Sequence, residues 1–191
     1  MLKFIEKDMD NQKKDFSWLD WNVPMFQEPN SFNVHVKSLN LVGRTIKEMR
    51  SLVGWCEYDF GYNNFENDGY MIVSHYNTAI VRFEDDSRFE IGILDESTLK
   101  VGMNSIDEEY YGQEDCEEIK KYLQPVQGQK IIGYKVVQVN KELGGFTGSY
   151  GLELPMHGEY IRALSLQLSN GYEIYFSNLW DNIAVQIRKI Y

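Results

Sequence analysis

Histidine, cysteine and proline are scarce in this chain, and each scarcity removes a class of chemistry. The 191 residues hold three His, two Cys and four Pro. His35, His75 and His157 are far apart, and none has a second His or a Cys two to four residues away. Zinc motifs need such clusters, and none is present. Cys56 and Cys116 are isolated, without a CxxC, which leaves two free thiols in a reducing compartment. No GxSxG marks a nucleophile elbow, and no stretch follows the calcium-loop pattern. The one glycine-rich loop, Gly144–Gly151, lacks the lysine of a phosphate loop. No metal, cofactor or catalytic residue is therefore expected.

Long apolar runs are also missing. No segment approaches the roughly 18 apolar residues of a membrane helix. The first residues, MLKFIEKDMDNQKKDF, show no apolar signal region. The expectation is a cytoplasmic protein without membrane contact.

Positive charge is the last deficit. The net charge is −10. A nucleic-acid binder needs a basic stripe to neutralise phosphates, so direct DNA or RNA binding is disfavoured. The imbalance is local. Residues 51–118 hold seventeen Asp and Glu against three Arg and Lys, whereas residues 1–50 come to +1 and residues 119–191 to +3. Such asymmetry marks a candidate interaction surface, and it steers basic partners. A solvated acidic face that serves only solubility is the plain alternative.

What is present is material for a β-rich core. Apolar residues make up 43% of the chain. Two stretches resemble later ones. Leu41–Met49 (LVGRTIKEM) matches Val126–Tyr134 (VQGQKIIGY), and Ala79–Leu94 (AIVRFEDDSRFEIGIL) matches Ala163–Leu179 (ALSLQLSNGYEIYFSNL), Glu90 against Glu173. The pattern suggests a degenerate duplication. The expected fold is α+β, predominantly antiparallel β, with two similar β-rich halves joined by an acidic helix. The expected units are an N-terminal helix and irregular segment (1–33), a first half (34–105), an acidic linker and helix (106–124) and a second half (125–191).

Alternation and turn residues predict the elements. A short polar helix is expected over 2–14, an irregular segment over 16–32 because Pro24 and Pro29 break regular structure, and a strand over Val34–Leu41. Arg44–Val53 has near-helical spacing, but its counterpart Lys130–Val139 is β-branched, so strand is favoured for both. Further strands are expected over Met71–Ser74, Thr78–Phe83, Phe89–Leu94, Arg162–Leu168, Tyr172–Phe176 and Ile183–Ile190. Residues 84–87 and 169–171 read as hairpin turns, Asn170-Gly171 being the strongest turn signal. Gln113–Leu123 reads as a helix, acidic in its first turn and basic in its last, ended by Pro125. The last strand ends with the chain, so an open edge and a homodimer through it are expected.

One stretch joins the charge to aromatic side chains. Gly54–Tyr70, GWCEYDFGYNNFENDGY, holds six aromatics and four acids and no Lys or Arg. Tyr and Trp give large contact area at small entropic cost. The candidate partner-binding residues are Trp55, Glu57, Tyr58, Asp59, Tyr62 and Phe65 here, with Asp107, Glu108, Glu109, Tyr110, Tyr111, Glu114 and Asp115 in the second acidic run. A half-buried strand over Glu57–Tyr62 is the structural alternative.

In general style, a small acidic chain of this kind resembles bacterial immunity or antitoxin proteins, which plug basic toxins. The resemblance is one of type and implies a non-enzymatic inhibitor of a basic protein, such as a toxin or a nucleic-acid-binding protein. A carbohydrate-like ligand module with a cleft between the halves is a second expectation, and an enzyme built around His75 or His157 a third.

Overall fold

The computed structural model describes residues 29–51, 55–57, 72–74, 78–94, 98–106, 117–139, 160–179 and 182–190. The helix expected over 2–14 lies outside them. The described elements form two antiparallel sheets and two short helices. The four-stranded sheet has the order β1 (Ile46–Ser51), β4 (Thr78–Phe83), β5 (Arg88–Leu94), β6 (Thr98–Met103). The six-stranded sheet runs β2 (Trp55–Glu57), β3 (Ile72–Ser74), β10 (Asn182–Lys189), β9 (Tyr172–Leu179), β8 (Tyr160–Leu168), β7 (Ile131–Val139).

Period-2 alternation gives each sheet one apolar face. Val81, Phe89, Ile91 and Val101 from the first sheet share one buried cluster with Leu164, Ile174, Phe176 and Val185 from the second. Phe89 and Phe176 meet edge to face across the layer, ring centroids 6.4 Å apart. Burying each such side chain contributes about 1.5–3 kcal/mol, so the shared core stabilises both halves together. The outer face of the smaller sheet is covered as well, since Thr78, Ile80, Glu90 and Lys100 are buried there.

The two halves share one strand register. β1 pairs Ile46 with Phe83, Met49 with Val81 and Ser51 with Ala79, with a bulge between Ile46 and Glu48. β7 pairs Ile131 with Leu168, Tyr134 with Leu166 and Val136 with Leu164, with a bulge between Ile131 and Gly133. Every position in the second set lies 85 residues beyond its counterpart. The next ladder follows suit: Val81 opposite Phe89 corresponds to Leu166 opposite Ile174. The similarity expected for Leu41–Met49 has this offset. The one expected for Ala79–Leu94 does not, because Ala79 corresponds in register to Leu164, and Glu90 to Tyr175. Matching Ala79 to Ala163 is one residue out of register, which exchanges the faces of the strand, and matching Glu90 to Glu173 is two out, which keeps the face but displaces the pairing.

The halves meet at their first strands in reciprocal hydrogen bonds. Gly43 N–H donates to Ile131 O and Gly128 N–H to Ile46 O, both at 2.7 Å, while Ile131 N–H donates to Arg44 O and Ile46 N–H to Gln129 O, both at 2.9 Å. Gly43 and Gly128 have φ of +93° and +72° with open space at the Cβ position, so backbone conformation selects glycine at both. The hairpin turns also agree. Asp86 (φ +61°) and Gly171 (φ +80°) occupy the left-handed position, bonded to Phe83 O and Leu168 O. Of Asn170 and Gly171, Gly171 alone has positive φ, the signature of a type I turn followed by a left-handed residue.

Each half also carries a helix. α1 (Pro29–Ser38) buries Phe32 and Val36, and α2 (Glu117–Leu123) buries Ile119 and Leu123, an i, i+4 stripe in both. Seven residues lead from each helix to β1 or β7. His35 Nε2 donates to Val101 O on β6 at 3.0 Å, and Ile187 N–H on β10 donates to the Tyr122 hydroxyl at 2.8 Å.

Three expectations fail. Residues 34–38 belong to α1, and so do residues 29–32 of the expected irregular segment. Pro29 sits in the first turn, where its missing N–H costs nothing, and Asn40 (φ +51°) lies just past the helix end. Val34, the first residue of the expected strand, is 69% exposed on the helix. Second, β6 was not anticipated, because Lys100 and Gly102 mask the alternation of Leu99, Val101 and Met103. Third, β10 is not an edge. It pairs with β9 on one side and β3 on the other, so the first half supplies the strand that covers it. Of the helix expected over Gln113–Leu123, the part from Glu117 is described.

Candidate interaction surface

Two of the proposed partner-binding residues lie in described backbone. Trp55 and Glu57 belong to β2, the terminal strand of the six-stranded sheet, in register with Ser74 and Ile72 of β3. Tyr58, Asp59, Tyr62 and Phe65 lie outside the described residues, and so do Asp107, Glu108, Glu109, Tyr110, Tyr111, Glu114 and Asp115. The fold brings the two ends of the first stretch together, because the β2–β3 pairing places residue 57 beside residue 72.

The cations of the middle third are committed inside the fold. Arg82 lies 3.5 Å from Glu48 and 3.1 Å from Asp86. Arg88 lies 3.9 Å from Glu90. Lys100 is 5% exposed on the outer face of the four-stranded sheet. These are the three Lys and Arg of residues 51–118. Two cations from the preceding segment engage the β4–β5 turn: Arg44 reaches Asp85 at 2.9 Å and Lys47 reaches Asp86 at 2.8 Å. Solvent screens such exposed pairs, so each adds little to stability. Hydrogen bonds from Ser87, hydroxyl and backbone, hold Asp85 below the usual carboxylate range, with Arg44 adding to them. The Lys47 ammonium does the same for Asp86, helped by Arg82.

A buried carboxylate fixes the root of the second acidic run. Glu90 is fully buried. It accepts from Ser105 N–H at 2.9 and 3.0 Å, from Ile106 N–H at 3.2 Å and from the Ser105 hydroxyl. Asn104, at φ +52°, exchanges bonds with Arg88: its side-chain oxygen accepts Arg88 N–H at 2.8 Å, and its own N–H donates to Arg88 O at 3.0 Å. A carboxylate removed from water needs such compensation. The backbone at 104–106, immediately before Asp107, is therefore held rigidly against β5. Sequence reasoning missed this anchor. Its signal is a lone Glu inside the apolar run Phe89–Leu94, the position that the repeat comparison sets against Glu173.

The second half has a different polar cluster on its outer face. Glu173 accepts from the Ser165 hydroxyl and lies 3.4 Å from Arg188 Nε. The Arg188 guanidinium stacks on Tyr175, 3.5 Å from the ring centre. Where the halves join, the position expected for a ligand cleft is filled by Phe89, Phe176 and their buried neighbours. Among the described residues no three or more His, Cys, Asp and Glu converge as a metal group. No described helix is long and apolar enough to cross a membrane.

Comparison with family models, with curated proteins and with solved structures found no match to this chain.

Proposed function

We propose that this chain is a non-enzymatic binding protein that neutralises a basic protein partner in the cytoplasm, after the manner of bacterial immunity and antitoxin proteins. One observation carries the reading. Residues 51–118 hold three cations, and Arg82, Arg88 and Lys100 are all engaged or buried within the fold. The seventeen acids of that segment exceed them by fourteen. Glu90 fixes the backbone from which Asp107, Glu108 and Glu109 continue. A field of one sign rooted on a rigid scaffold raises the association rate of an oppositely charged partner.

The constant register offset also supports descent of the two halves from one unit, with α2 as the second half's counterpart of α1 and not as a connector.

The test compares the wild type with a variant carrying Asp107→Asn, Glu108→Gln, Glu109→Gln, Glu114→Gln and Asp115→Asn. Both are immobilised and exposed to native cell lysate at two salt concentrations, and retained proteins are identified by mass spectrometry. A basic protein is expected on the wild type at low salt. It is lost at high salt and on the variant. Retention of nothing, or of a protein indifferent to salt and to these changes, reduces the acidity to a solubility device.

A further inference from the structure

We propose that β2 is a docking edge that takes an extended basic segment of the partner as an additional strand of the six-stranded sheet. The inference rests on the reading that the partner is basic, and it names the place and mode of contact.

Two sheets have four edges, and three of them are guarded. β1 carries a bulge, and its Glu48 and Arg50 are joined in an ion pair at 3.0 Å. β6 has the Val101 carbonyl taken by His35. β7 starts in bonds to the first half, has two bulges and carries Lys135. Bulges, charges and covering groups are the usual means of keeping an edge from pairing with another chain. β2 shows no bulge and no covering group among the described residues; it is three residues long, and its one charge is the acid Glu57. Its ladder with β3 is regular, Trp55 with Ser74, Cys56 with Val73 and Glu57 with Ile72.

Charge selects the occupant. Residues 51–81 contain no Lys or Arg and four acids, Glu57, Asp59, Glu66 and Asp68. A second copy of this chain, at −10, is repelled from such an edge, and a strand rich in Lys or Arg is attracted. Main-chain hydrogen bonds then supply the contact, as in other strand additions. The edge is firmly mounted, because β3 pairs along Ile183–Val185 of β10, where Ile183 and Val185 are buried in the core.

The test uses the full-length, isotopically labelled protein and two synthetic peptides of about a dozen residues. One alternates Lys and Thr. The other has the same side chains with every backbone amide methylated, which keeps the charge and removes the ladder donors. Amide exchange is followed at Trp55, Cys56 and Glu57. The unmethylated peptide is expected to slow exchange at one or more of these amides at least tenfold, less so in high salt, and the methylated twin to leave them unchanged. If both peptides bind alike without protecting β2, strand addition is overturned while a basic partner still stands. If neither binds at low salt, the docking edge and the basic-partner reading both fall.

Discussion

Among the described residues the two halves share one strand register with different side chains, and the side chains differ in character on one face only. Inward positions are apolar in both: Phe89 and Ile174, Ile91 and Phe176, Val101 and Val185. Outward positions diverge. Thr78, Ile80, Glu90 and Lys100 in the first half stand where the second has Ala163, Ser165, Tyr175 and Ala184. The inner positions answer to a common core, which tolerates little change in volume. The outer ones answer to whatever covers each sheet. An alanine suffices at the Lys100 position of the second half, so the strand pairing itself does not require a buried ammonium there.

The largest expected test of this contrast sets Glu90 against Glu173. Glu90→Ala leaves two backbone donors and Arg88 without their carboxylate in a fully buried site, and a loss of about 3–5 kcal/mol is expected. Glu173, with its side chain 22% exposed, is expected to cost about 1 kcal/mol when made Ala. Urea denaturation of both variants measures the gap. Equal losses would mean that the outer faces are equivalent after all. One transition is expected in each curve, because the core is shared; two would separate the halves.

A smaller effect sharpens the agreement between the halves. Gly43→Ala and Gly128→Ala each force a side chain into the left-handed region, at about 1–2 kcal/mol. The two losses are expected to agree within about 0.5 kcal/mol, since the reciprocal bonds give both glycines the same task. A large inequality in thermal denaturation would break the symmetry of the junction.

The smallest effect belongs to the first half alone. Asp85 and Asp86 titrate below their unfolded values, so the folded state binds fewer protons there. Their contribution is complete above the unfolded value and is lost as pH falls through the folded one, below about pH 4. Both are exposed, so solvent screening keeps the expected change slight. Asp85→Asn with Asp86→Asn should flatten stability against pH in that window, and an unchanged slope would remove these two residues from the acid response.

Much of this architecture was legible in the sequence. Alternation located eight of the ten described strands in whole or part, and the resemblance of Leu41–Met49 to Val126–Tyr134 has the observed register, because a glycine and a buried Ile punctuate each. Local pattern failed where tertiary contacts decide. Val34 and Val36 alternate as a strand would, yet Phe32 and Val36 form the buried stripe of a helix. β10 looked terminal because it is last in sequence, and nothing local announces that β3, over a hundred residues earlier, pairs beside it. Of the proposed interaction surface, its charge was visible, and its anchor at Glu90 was not. A buried acid reads like any other until the donors at residues 105 and 106 are known to face it.

The pairing of β3 with β10 has a consequence for synthesis. β10 holds the last strand residues of the chain, so residues 72–74 emerge from the ribosome long before the strand that receives them. Contacts of such long sequence separation form late and slow folding. The first half therefore waits with an unpaired hairpin while the second is made, a period in which a chaperone or an early-arriving partner strand would find β2 and β3 most accessible.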